Sequence, residues 1–109
     1  MSRKIKIKYK NTEYVLEYNR STAKMLEKAG FSLEQIQNQP VTMIPLLFQG
    51  AFLAHHRKVK AELIDEMFEH TPNKDKIIGV LSEMYADTLN TLLEEPDAND
   101  EGNAIWEES

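Results

Sequence analysis

The sequence predicts an α+β fold: an N-terminal antiparallel β-hairpin packed on four to five α-helices, followed by a flexible acidic C-terminal tail. Three observations carry that expectation. Residues 5–18 alternate apolar and polar side chains with a period of two. Residues 20–94 carry apolar side chains at helical spacing, broken at Gly30, Pro40 and Pro72. After Pro96 the chain turns acidic, with Ile105 and Trp106 as its large apolar groups. A length of 109 residues, 41% hydrophobic and 28% charged, leaves room for one domain, expected over residues 1–94 with the tail over 95–109.

The hairpin is expected over residues 3–18. Ile5, Ile7 and Tyr9 alternate with Lys4, Lys6, Lys8 and Lys10, and Tyr14, Leu16 and Tyr18 alternate with Glu13, Val15 and Glu17. With Asn11-Thr12 as a two-residue loop, Tyr9 faces Tyr14, Ile7 faces Leu16 and Ile5 faces Tyr18. The opposite face then pairs Lys10 with Glu13 and Lys6 with Glu17. A lone hairpin is marginal in water, so its apolar face must lie against helices or another chain.

The helices follow over about 20–94. Asn19 or Ser21 can cap a first helix running to about Lys28, with Ala23, Leu26 and Met25 inward and Gly30 as its stop. Ser32 and Gln35 have capping-box spacing before a short second helix that ends ahead of Pro40. Thr42 can cap the third, whose first turn tolerates Pro45 because an amide there has no partner to lose. Its Ile44, Leu46, Leu47, Phe48, Ala51, Phe52 and Leu53 are apolar nearly all round, which suits a central or an interface helix. Gly50, Ala51 and Ala54 allow another backbone to approach. Arg57, Lys58 and Lys60 mark its end, where the helix dipole favours cations. From Ala61 the pairs Leu63/Ile64 and Met67/Phe68 define an amphipathic helix stopped by Thr71-Pro72. Asn73 can cap the last helix, where Ile77, Ile78, Leu81, Met84, Tyr85, Leu89, Leu92 and Leu93 recur at helical spacing.

Charge is uneven within a net −5. Residues 1–10 hold Arg3, Lys4, Lys6, Lys8 and Lys10 with no acid; residues 94–109 hold Glu94, Glu95, Asp97, Asp100, Glu101, Glu107 and Glu108 with no base, so the two ends can attract each other. The net acidity argues against coating of nucleic acid or anionic membrane. Zero cysteines removes disulfides, thiol nucleophiles and cysteine metal sites, and accords with a reducing cytoplasm. The N-terminus lacks a signal-peptide apolar run, and the longest apolar stretch, residues 43–54, is too short to span a bilayer.

Chemistry-bearing groups are sparse. His55 and His56 project about 100° apart on a helix, so they do not chelate one metal as residues four apart would. Glu62, Asp65, Glu66 and Glu69 lie on the wet side of an amphipathic helix. No nucleophile elbow and no phosphate-binding glycine loop occurs among 4 glycines. No catalytic residue, cofactor or metal site is therefore expected. The lysine strand either contacts phosphates or guards an edge against pairing. Trp106 is either incidental or docks on its own domain or on a partner. The partner-binding candidates are Phe48, Phe52, Leu53 and Trp106.

Five stretches act together in their order: residues 14–20 (YVLEYNR), Gly30-Phe31, residues 47–52 (LFQGAF) with His55-His56, residues 81–85 (LSEMY), and Trp106 in an acidic end. In order, spacing and total length the chain resembles the small tail assembly chaperone-like proteins of siphophages and prophages of Gram-positive bacteria. The resemblance implies a non-catalytic protein that acts in the host cytoplasm during virion assembly and binds the tape measure protein. Other tail proteins and self-association are implied as further contacts, with neither nucleic acid nor membrane as a partner. It assigns no role to individual residues. The alternative is a small phage nucleic-acid-binding or regulatory protein using Lys4, Lys6 and Lys8.

Overall fold

Alternation at the N-terminus yields strands β1 (Ile5–Tyr9) and β2 (Thr12–Leu16) in a computed structural model that describes residues 3–94, 102 and 104–108. Part of the expected tail, residues 95–101, 103 and 109, lies outside the described residues. The antiparallel pairing differs from the expected register: Ile5 faces Leu16, Ile7 faces Tyr14 and Tyr9 faces Thr12. The turn is the reason. Lys10 and Asn11 take the two central positions with φ of 49° and 65°, the left-handed values that a tight hairpin turn matched to strand twist requires. The slip is by an even number of residues, so every side chain stays on its expected face. Tyr14, Leu16 and Tyr18 are buried, and Ile5, Ile7 and Tyr9 half-buried. The expected Lys10–Glu13 and Lys6–Glu17 pairs are replaced by Lys6 Nζ at 3.9 Å from Glu13 and Lys10 Nζ at 3.0 Å from Glu66.

Helix α1 (Arg20–Lys28) starts on a reciprocal cap: Asn19 Oδ1 accepts the Thr22 amide at 2.8 Å, and Thr22 Oγ1 accepts the Asn19 amide at 2.9 Å. Gly30 at φ 97° ends it, a conformation that a β-carbon would oppose. Ala23 and Leu26 face the core, whereas Met25, expected inside, is half out. The next expected helix is a single 3-10 turn (Leu33–Gln35), and Ser32 makes no side-chain cap there.

Helix α2 (Pro40–Gly50) begins two residues before Thr42, because Pro40 at its first position has the right φ and no amide to satisfy. Pro45 consequently falls inside the helix and withdraws the bond that the Val41 carbonyl would accept; Val41 is 89% exposed, so solvent can serve that carbonyl. The helix also ends sooner than expected. Residues 51–55 continue as turns, with Phe52 N–H bonded to Gln49 O at 3.1 Å and Leu53 N–H to Gly50 O at 3.2 Å. Helices α3 (Ala61–Glu69) and α4 (Lys74–Asn90) follow their amphipathic patterns, and a 3-10 turn (Thr91–Leu93) extends α4. Asn73 precedes α4 at φ 54° without the expected side-chain cap. Among the described residues, no helix is long and apolar enough to cross a membrane.

The core is an aromatic cluster with aliphatic filling. Tyr18 and Phe31 meet Tyr85 edge-on with ring centres 5.5 and 4.9 Å away, and Phe48 meets Phe52 and Phe68 at 5.3 and 5.0 Å. Leu81, Met84 and Tyr85 deliver α4 to this core, while Leu92 and Leu93, expected on the same stripe, are 61% and 87% exposed. Gly50 admits the Leu26 side chain of α1 rather than another backbone: a β-carbon there would lie 2.5 Å from Leu26 Cδ2 and 2.8 Å from Cγ.

Leu26 is itself buried, so Gly50→Ala forces a shift inside a packed core and should lower stability by about 1–3 kcal/mol. Thermal unfolding should move down by roughly 4–8 °C per kcal/mol. Adding Leu26→Ala should cost less than the sum of the two single changes, because the second removes the atoms with which the first collides.

Candidate functional site

The hairpin is joined to the helices by a seam of polar contacts along β2. Val15 N–H donates to His56 Nε2 at 2.9 Å, and Glu17 N–H donates to the Ala51 carbonyl at 2.9 Å. The Tyr18 hydroxyl donates to the Leu47 carbonyl at 2.6 Å, and burial, followed by the nearby Tyr85, pushes this phenol well above its ordinary pKa. His55 Nε2 lies 2.6 Å from Glu17 Oε1. The adjacent histidines therefore do different work: one ring accepts a backbone amide, the other meets a carboxylate. His70 Nδ1 lies 2.9 Å from the Glu66 carbonyl. Among the described residues, no three histidines or carboxylates gather as a metal-binding group.

Two of the four carboxylates of α3 are likewise held by neighbouring elements. Glu66 accepts the Tyr9 hydroxyl at 2.7 Å and the Lys10 ammonium at 3.0 Å. Those two bonds, Tyr9's first, hold Glu66 below the usual glutamate range, and the bond to Glu66 raises both Tyr9 and Lys10. Asp65 accepts from Gln49 Nε2 at 3.0 Å.

The four residues expected to meet a partner are separated by the fold. Phe48 and Phe52 are 1% and 0% exposed within the aromatic cluster, so the folded chain offers neither ring to a partner; α2 is a central helix. Leu53 is half-buried in the turns after α2. Trp106 stands outside at 84%, beside Ile105 at 92%. Reading by periodicity missed Leu92 and Leu93 as exterior residues. The visible signal was their position beyond the last residues that could be covered by a preceding element. Their turn is pinned to the domain by Arg20, whose guanidinium donates to Thr91 Oγ1 at 3.3 Å and to the Thr91 carbonyl.

Beside this anchor lies a cavity of about 360 Å³ bounded by the start of α1 and the end of α4. Arg3 and Arg20 share its walls with Glu17, Asp87 and Glu94, so the charges offset one another and select for neither an anion nor a cation. The exterior apolar groups at the C-terminal end, rather than this cavity, form the candidate site. A family model described as a domain of unknown function (DUF5055) matches residues 1–109. Comparison with curated proteins and with solved structures gives no match.

Two substitutions test the seam and its neighbour. His56→Phe leaves the Val15 amide without its acceptor and should cost about 1–2 kcal/mol in chemical denaturation, whereas His56→Gln, whose amide oxygen can accept, should cost less. Because Glu66 is held below its ordinary range, its carboxylate supports the fold above that range and the support fades as pH falls from about 4.3 downward. Glu66→Gln should therefore flatten the acid limb of a melting-temperature profile relative to the unaltered chain.

Proposed function

This chain belongs to the DUF5055 family, and we propose that it is a non-catalytic, phage tail assembly chaperone-like protein that binds the tape measure protein during tail morphogenesis in the host cytoplasm. One observation carries the reading. Leu92, Leu93, Ile105 and Trp106, the most exposed large apolar groups besides Val41 among the described residues, fall within a C-terminal stretch that carries seven carboxylates and no base from Glu94 onward. A long apolar ruler needs a cover that grips it through a few large side chains and keeps the pair in solution by charge. The acidic stretch meets both needs. Phe48 and Phe52 then serve by filling the domain that carries the stretch in sequence, and Leu53 packs at its flank. The reading assigns no catalytic residue, cofactor or metal.

The exposed side chains of Lys4, Lys6 and Lys8 favour a second reading, a small nucleic-acid-binding or regulatory protein. Its weakness is physical: Tyr9 and Tyr14 face the domain, so the lysine face offers bases no stacking platform from them.

Co-expression with the tape measure protein encoded beside it should give a soluble complex that co-purifies. Leu92→Asp with Leu93→Asp should lower the yield of that complex about ten-fold, an interface loss of about 1.4 kcal/mol, without altering the circular dichroism of the free chain. A tape measure protein that stays equally insoluble with or without this chain, and never co-purifies, would overturn the proposal.

A further inference from the structure

The two edges of the hairpin are treated unequally. On the β2 side, the outward amides of Val15 and Glu17 are taken by His56 and Ala51. Val15 is the cross-strand partner of Lys6, and an antiparallel pair directs the backbone groups of both residues the same way relative to the ladder. The amides and carbonyls of Lys6 and, two residues on, Lys8 therefore point outward from β1. They take no protein partner among the described residues, and the sheet has two strands only.

A groove of about 190 Å³ runs beside this open edge. All five residues of β1 line it, from both faces of the strand, so it follows the edge rather than lying under the sheet. Met67, His70, Pro72 and Ile77 form the opposite wall, and a shallow depression with Lys76 and Val80 continues it past Ile5. The rim is basic. Lys4 and Lys8 have no carboxylate within ion-pair distance among the described residues, and the nearest to Lys6 is the exposed Glu13 at 3.9 Å. Glu66 is already occupied by Tyr9 and Lys10, and Glu83 by Arg3 at 3.0 Å. An apolar trough with a lysine rim and free backbone groups suits an extended acidic segment bearing a large apolar side chain.

We propose that this edge receives residues 104–108 of a second copy of the same chain as an added strand beside β1. Charge complementarity is direct: the first ten residues carry five cations and no acid, and the stretch from Glu94 carries seven acids and no base. The alternation also fits. In an extended segment Trp106 and Glu108 project to one face and Ile105 and Glu107 to the other, so setting the indole over the apolar trough puts the Glu107 carboxylate beside the lysines, with Ile105 on that face and Glu108 on the trough side. The occupant is taken from a second copy because the chain's own domain leaves Ile105 and Trp106 almost wholly exposed. Two β1 edges cannot join each other, since their lysines repel, so copies join tail to edge. Reciprocal exchange closes a dimer. The proposal is independent of the tape measure reading, and its test uses the purified chain alone.

Trp106 is the only tryptophan, so its fluorescence reports the contact directly. In a dilution series of the full chain across the micromolar range, emission should shift to the blue as concentration rises, in step with a rise from monomer to dimer mass by sedimentation. Salt should weaken the association several-fold. The full chain with Lys4→Glu, Lys6→Glu and Lys8→Glu should stay red-shifted and monomeric throughout. So should the chain with Glu107→Lys and Glu108→Lys, whose changes touch only exposed positions and therefore leave folding out of the question. Mixing the two variants should restore the dimer. Concentration-independent red emission from a monomer overturns the proposal, and blue emission from a monomer overturns it in favour of docking on the chain's own domain. A dimer that persists in both variants, or an edge that binds an oligonucleotide while the chain stays monomeric, also overturns it.

Discussion

A two-stranded hairpin has too little of its own to bury, and everything else in this molecule depends on how that deficit is met. The seam between β2 and residues 47–56 meets it. Three hydrogen bonds, from Val15, Glu17 and Tyr18, tie the strand and its exit to His56, Ala51 and Leu47. Each satisfies a group that would otherwise enter a partly dry interface unpaired, which costs more than the bond itself contributes. Behind them Tyr14 and Phe52 pack edge to face at 5.8 Å, so the polar seam and the apolar core hold the same two elements in one arrangement.

That seam explains the early end of α2. A helix continued through residue 55 would carry the Ala51 carbonyl into a bond four residues on. Instead the chain tightens to three-residue bonds, leaving Ala51 free to accept Glu17 and bringing His56 alongside Val15. An apolar stretch that could have served as an interface is spent on the interior, and large apolar groups stand exposed at the end of the chain instead.

Much of the fold was legible from residue pattern. Alternation assigned the faces of both strands correctly even though the register differed, because face depends on parity alone while register depends on the turn. The turn was hard to read because its first left-handed position is held by Lys10, a residue with no special preference for it. Pro45 misdirected the start of α2 because Pro40 offered the same chemistry earlier, and a proline inside a helix is tolerable where the orphaned carbonyl is wet. Of the candidate site, Trp106 was legible from its acidic surroundings. Phe48 and Phe52 were not, since an all-apolar helix looks the same whether its neighbour is the same chain or another. Leu92 and Leu93 continue the α4 stripe in sequence, yet among the described residues no element packs over their 3-10 turn, and periodicity carries no information about a missing neighbour.

The two ends of the chain thus come to differ for one reason. Docking consumes the β2 edge and the rings of Phe48 and Phe52, so what stays outside is what the core could not use: a lysine-bearing strand at the start and apolar groups in an acidic run at the end. Opposite charge makes these remainders compatible with each other, and large side chains make the second compatible with a foreign apolar surface. A protein that must hold an aggregation-prone partner briefly needs its gripping groups shielded when the partner is absent and free when it is present. The proposed weak pairing between an open basic edge and an acidic aromatic segment would supply that balance, because a broader apolar surface can outcompete it.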